Sequence, residues 1–167
     1  MKMEYFDVVD ANRNNLNYTK CRGSEMLENE YNVGVELWIF NNKSLLLTQR
    51  SKNKSHPLQW EVPGGCSQAG ESSIDTLKRE IQEEIETLLE NNEFEYLDTQ
   101  LYKKQFVDIY KSNKLININN INLQEDEVCD IKFITKKDFL KMIENNEIVP
   151  SVVQRFEIIK NKISEDW

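Results

Sequence analysis

Between Gly64 and Glu84 the chain gathers residue types that could hold a divalent cation against a phosphate. The stretch Gly64-Gly65-Cys66-Ser67-Gln68-Ala69-Gly70-Glu71 is followed after seven residues by Arg79-Glu80-Ile81-Gln82-Glu83-Glu84. On a helix Glu80, Glu83 and Glu84 are related by i, i+3 and i+4, so their carboxylates share one patch while Ile81 and Ile85 point into a core. Three crowded carboxylates repel one another unless a cation neutralises them, and an all-oxygen site without histidine suits Mg²⁺ or Mn²⁺ rather than zinc. Acid-rich helical faces are also ordinary solvated surfaces, and this chain has 20 Glu in 167 residues. Two neighbours distinguish the cluster. Gly-Gly and Gly70-Glu71 turns lie close by, and Arg79 stands inside the acidic face, able to pair with Glu83 or to reach back to Glu71.

The elements that must position these residues can be read from periodicity. Ile74, Leu77, Ile81, Ile85 and Leu88 recur every three or four residues and predict a helix, with Ser72 and Asp75 as its capping pair. Val33, Val35, Leu37 and Ile39 alternate with Gly34, Glu36, Trp38 and Phe40, which predicts a strand. Asn41-Asn42-Lys43-Ser44 then turns the chain into Leu45-Leu46-Leu47 as a hairpin. Further strands are expected at Leu101 to Tyr110 and Val128 to Ile134. Thr135 with Asp138 is expected to cap a helix carrying Phe139, Leu140 and Ile143; Ser151, after Pro150, is expected to cap another carrying Val152, Phe156, Ile159 and Ile163. Strands and helices are interspersed, so the fold class is α/β.

The 167 residues, 39% hydrophobic and 30% charged, suit one globular domain. A formal net charge of −8 offers no grip on DNA or RNA, so no nucleic acid polymer is expected as partner. No run of eighteen apolar residues and no leader pattern is visible, so neither a membrane span nor export is expected. Cys21, Cys66 and Cys129 are odd in number and scattered, and His56 is the only histidine; this speaks against a zinc site and for the reducing cytoplasm.

Gly65, Glu71, Arg79, Glu80, Ile81, Glu83 and Glu84 match the first seven specified positions of the Nudix box, G-x5-E-x7-R-E-U-x-E-E-x-G-U with U apolar. Such a match arises by chance at roughly one in 10⁷ starting positions. Glu86 and Thr87 stand where the box has its last Gly and apolar residue, at the helix exit. Leu45 to Ser51, Trp60 to Gly65 and Glu127 to Ile134 also resemble segments of these enzymes, so the likeness covers about residues 30 to 145. The resemblance implies a Nudix-type α/β/α sandwich with a mixed β-sheet, spanning 1–167 as a single domain with 1–30 as an N-terminal extension. It implies Gly64 (through its carbonyl), Glu80, Glu83 and Glu84 as metal ligands, with Gly65, Glu71 and Arg79 supporting the loop.

The resemblance further implies a Mg²⁺- or Mn²⁺-dependent hydrolase that cleaves a diphosphate bond in a nucleoside diphosphate linked to another group, a small phosphorylated substrate. Glu83 or Glu127 would take the proton from the attacking water, and Arg50, Lys52 and Lys54 could meet the phosphates. Trp38 and Trp60 are read as core residues rather than base-stacking ones, and Cys66, lacking a partner histidine, as inert. Phe6 to Asp10, Cys21-Arg22-Gly23 and Trp38 to Asn41 resemble the branch related to isopentenyl-diphosphate isomerase. Those isomerases use several histidines and a cysteine, whereas Asn32 and Cys66-Ser67 stand in the corresponding places here. Isomerisation is therefore the alternative to hydrolysis, alongside a catalytically silent nucleotide-binding module. A homodimer is compatible with the sequence. Between Glu71 and Glu86 six acids stand against Lys78 and Arg79, a local −4 that is half the chain's −8.

Overall fold

Strand β3 (Asn32–Asn41) organises the molecule, because its alternating side chains are claimed by cores on both faces. The structure, a computed structural model, describes residues 3–124 and 126–167. Val35, Leu37 and Ile39 face helix α1 (Ser73–Ile85), where Leu77, Ile81 and Ile85 are fully buried. Each such side chain contributes about 1.5–3 kcal/mol through burial. Trp38 and Phe40 face the other way, toward α2 (Lys136–Glu144) and α3 (Pro150–Ile159), packing with Phe139, Val152, Phe156 and Ile159. The result is an α/β/α sandwich. Trp38 and Trp60 are both core residues, as the sequence suggests.

The hairpin from β3 into β4 (Ser44–Arg50) turns on Asn42 and Lys43, both at positive φ, the two-residue geometry whose twist matches the strands. β4 pairs antiparallel with β5 (Trp60–Glu61) and β9 (Val128–Thr135). β3 pairs antiparallel with β6 (Gly64–Cys66) and parallel with β8 (Gln105–Ser112), so the sheet is mixed.

Several local expectations are corrected. Leu101 to Tyr110 is not one strand: β7 (Glu95–Tyr102) turns at Lys103, φ 54°, into β8, a hairpin without the usual Gly or Asn signal. Helix α1 ends at Ile85, because Glu86 takes the left-handed conformation at φ 49°, ψ 34° in the box's Gly position; Leu88 therefore lies beyond the helix and is 73% exposed. Ser151 does not cap α3. That helix begins on Pro150, with Val149 at the cap and no side-chain bond to it, since proline at the first position needs no donor partner. The expected caps at Ser72–Asp75 and Thr135–Asp138 are formed.

Met1 and Lys2 of the expected extension lie outside the described residues. From residue 5 it forms a two-stranded hairpin, β1 (Tyr5–Val9) with β2 (Asn15–Cys21). Tyr5 O accepts from Ala69 N and Asp7 Oδ2 from Gly70 N, both at 2.8 Å, so β1 braces the loop that leads into α1. At its tip Arg13 reaches Asp108 on β8 with two hydrogen bonds, Nη1 to Oδ1 at 2.6 Å and Nη2 to Oδ2 at 2.8 Å; Ser73 and Thr99 also donate to this carboxylate. Burial alone would raise the Asp108 carboxyl, but these bonds outweigh it and hold it below the ordinary value.

A group titrating lower in the folded chain stabilises it fully above its unfolded value, about 3.9, and loses that contribution as pH falls through the folded value. Arg13→Met should therefore lower the unfolding free energy by roughly 1–3 kcal/mol at pH 7, a difference that shrinks as Asp108 is protonated. Urea unfolding at pH 7 and pH 3 measures this; an equal difference at both would refute the assignment.

Candidate active site

Gly64 and Gly65 do not form the turn expected from sequence but open β6, paired with β3. Gly64 lies so close to the β3 backbone that it cannot carry a side chain, and at Gly65 a side chain would have to displace the Glu80 carboxylate. A Cβ on Gly64 would stand 2.2 Å from the Val35 carbonyl oxygen on β3, and one on Gly65 would stand 2.2 Å from Glu80 Oε1 on α1. Gly64 N donates to Glu84 Oε2 at 3.0 Å. Strand β6 thus sets its backbone against the ends of two helix carboxylates, which is how the Gly-Gly spacing and the helical acids come to share one place.

Arg79 ties this arrangement together. Its Nε donates to Glu71 Oε1 at 2.6 Å and its Nη2 to Glu71 Oε2 at 2.9 Å, a two-pronged bond; Nη2 also donates to the Cys66 carbonyl at 3.0 Å. Nη1 reaches Glu80 Oε1 at 2.9 Å and Glu83 Oε2 at 3.1 Å. Both reaches anticipated from sequence, to Glu71 and to Glu83, are made at once. Burial opposes the Glu71 carboxylate, yet bonds from Arg79, the Gln68 N–H and Thr76 outweigh it and keep its pKa low.

Glu80 and Glu84 are less well served. Among the described residues, Glu80 has only Arg79 as side-chain partner, and Glu84 only the Gly64 N–H. Burial pushes the Glu80 carboxyl up, against the pull of Arg79, with Glu83 and Glu127 adding repulsion. It pushes Glu84 well above the ordinary range, with the charges of Glu61 and Glu80 adding to the effect. Two buried carboxylates short of donors are suited to a hard divalent cation. Among the described residues the carboxylates do not converge as a group of three or more around one point; Arg79 bonds both Glu80 and Glu83.

A cavity of about 600 Å³ opens beside Gly64 and Gly65, on the Glu36 side of β3. Arg50, Lys54 and His56 line it, whereas Lys52 is exposed and outside its wall. Arg50 is not free: its Nη1 donates to both Glu61 oxygens, at 2.9 and 2.7 Å, and its Nε to the Ser55 carbonyl. Lys54 Nζ lies 3.1 Å from Glu127 Oε2. Glu83 and Glu127 are each about half exposed, at 48% and 45% of the side chain, so both are open to water.

Sequence reasoning missed Glu36, Glu61, Gln105 and Arg155, all in the cavity wall. A signal existed for two of them. Glu36 interrupts the apolar run of β3, and Arg155 interrupts the apolar stripe of α3, and a charge in such a position is either paired or functional.

Because Glu84 is buried, repelled by two acids and bonded to one N–H, its charge destabilises the metal-free fold. Glu84→Gln should raise the unfolding free energy in a chelator by roughly 1–2 kcal/mol, with the amide oxygen still accepting from Gly64. Denaturant melts in chelator measure this, and a less stable variant would contradict it.

The chain matches the NUDIX domain family over residues 30–156. It is 28% identical over 151 residues to an uncharacterised Nudix hydrolase of Listeria monocytogenes, covering 89% of each chain. It is also 28% identical over 163 residues to Nudix hydrolase 3 of Arabidopsis thaliana, covering 88% of this chain and 21% of that larger protein. Among solved structures it resembles DR0079 of Deinococcus radiodurans, with TM-score 0.73, 20% identity, and 87% and 92% of the two chains covered. It likewise resembles the NUDIX domain of Shewanella oneidensis NrtR, solved with ADP ribose, with TM-score 0.62, 20% identity, and 80% and 88% covered. The α/β/α sandwich with its mixed sheet is the fold these neighbours share, and the chain belongs to the NUDIX domain family as a hydrolase of the kind that acts on nucleoside diphosphate derivatives.

Proposed function

We propose that this protein is a Mg²⁺-dependent hydrolase that cleaves the diphosphate bond of a nucleoside diphosphate linked to another group. The observation that carries the reading is the pairing of two buried, donor-poor carboxylates, Glu80 and Glu84, with a cavity that opens beside the same Gly64 and Gly65 and bears basic groups. The NrtR domain's complex with ADP ribose, a nucleoside diphosphate carrying a second sugar, supports the substrate class. Glu80, Glu83, Glu84 and the Gly64 carbonyl are the groups that would hold Mg²⁺, with Mn²⁺ as the alternative. When bound, the cation offsets the carboxylate charge, draws in the anionic diphosphate and acidifies a water.

The protein's own groups divide the remaining work. Arg79 with Glu71 fixes α1 against the loop, so the carboxylates are held in place before substrate arrives. Lys54 and Arg50 supply positive charge at the cavity, and the phosphates would compete with Glu127 and Glu61 for them. Lys52, exposed nearby, would act only at longer range. Glu83 or Glu127 accepts the proton of the attacking water, whose oxygen joins one phosphorus as the bond from that phosphorus to the bridging oxygen breaks. The free thiols at Cys21, Cys66 and Cys129 fit a reducing compartment such as the cytoplasm.

A panel of nucleotide sugars, dinucleotides, nucleoside triphosphates and isopentenyl diphosphate, incubated with Mg²⁺, should yield phosphate products from the diphosphate-linked nucleosides. An isomer or tight binding without turnover would contradict hydrolysis. Glu83→Gln and Glu127→Gln test the base: one should lower kcat by roughly 10²- to 10⁴-fold, and full turnover in both would remove the two proposed groups.

A further inference from the structure

The cavity wall carries a charge pair that hydrolysis does not use. Arg155 on α3 donates through Nε to Glu36 Oε2 on β3, and Trp38 Nε1 donates to Glu36 Oε1 at 2.8 Å. Only 9% of the Arg155 side chain and 4% of the Glu36 side chain is exposed. Burying such a pair is at best neutral for stability compared with apolar packing. Its other donors are poorly used. Nη1 finds Gln100 Oε1 and Nη2 finds Ser151 Oγ, each at 3.4 Å, the outer limit of a hydrogen bond. The two remaining Nη hydrogens have no protein partner among the described residues. Ser151 and Arg155 both line the cavity, so this donor fork lies where a ligand can reach it.

Glu36 already balances the guanidinium charge. The missing partner is therefore a neutral group with two adjacent acceptors, which would satisfy the fork without adding charge to a confined space. Gln105 and Tyr102 lie on the same wall and offer an amide and an aromatic ring to such a group. We propose that Arg155 reads the nucleobase of the substrate, donating from its fork to two neighbouring acceptors on one base edge. Guanine presents such a pair at O6 and N7 and cytosine at O2 and N3, while adenine sets a donor beside N7. This recognition rests on the nucleoside-diphosphate reading and names the part of the substrate that the cavity selects.

Calorimetric binding of α,β-methylene diphosphates of guanosine, cytidine and adenosine, and of methylenediphosphonate alone, tests it without turnover. With Mg²⁺ present, the guanosine or the cytidine compound should bind the wild-type protein at least tenfold more tightly than the adenosine compound. Arg155→Lys keeps a charge for Glu36 but lacks the fork. It should erase that preference and leave methylenediphosphonate binding unchanged. Equal affinities for the three nucleosides, or weakening of all four probes alike by Arg155→Lys, would overturn the proposal, as would failure of every probe to bind. A retained base ranking without methylenediphosphonate binding would support base recognition and count against the diphosphate reading, so the two can fail separately. If Arg155→Lys does not fold, Arg155→Gln takes its place with the same expected loss of preference, and equal wild-type affinities for the three nucleosides overturn the proposal without either variant.

Discussion

Gly64 is pressed against the backbone of β3 with no room for a methyl group, and Gly65 beside it stands against the carboxylate of Glu80. That contact fixes the distance between sheet and helix at one end, while Leu77, Ile81 and Ile85 fix it along the helix. Because β6 is bonded to β3, the Glu80 and Glu84 carboxylates beside it are held out of water. The bonds from β1 to Ala69 and Gly70 and the reach of Arg13 to Asp108 serve the same end, bracing the loop and the start of α1 from the N-terminal side.

The electrostatics follow from this packing. Arg79 alone touches Glu71, Glu80 and Glu83, so one guanidinium is shared among three carboxylates, and Glu84 receives none of it. Elsewhere three basic residues of the cavity have acids of their own: Arg50 with Glu61, Lys54 with Glu127, Arg155 with Glu36. Beside Gly64, the buried Glu84 is thus left without a cation of its own. A protein of net charge −8 would repel a diphosphate, and a divalent cation held beside Glu84 would reverse the repulsion.

What could be read from the sequence was what depends on neighbours along the chain. The alternation in β3, the Asn42–Lys43 hairpin, the capped start of α1 and the Arg79 pairing with Glu71 and Glu83 all act between residues close along the chain, and each is present. The turn at Lys103 escaped because lysine carries no turn signature, and the end of α1 escaped because Glu86 adopts a conformation normally left to glycine. Two-residue β5 is too short to show a period, and β6 is read as loop because its glycines lack side chains. Glu36 and Arg155 are 119 residues apart, so their meeting belongs to the tertiary fold, although each interrupts an apolar pattern.

A divalent cation should complete the buried carboxylates beside Gly64 and Gly65. Calorimetric titration of Mn²⁺ into the wild-type protein and into Glu84→Gln tests it most directly. Saturable binding to the wild type, weakened at least tenfold in the variant, is the predicted result. Equal affinity in both proteins, or no binding to the wild type, would contradict it.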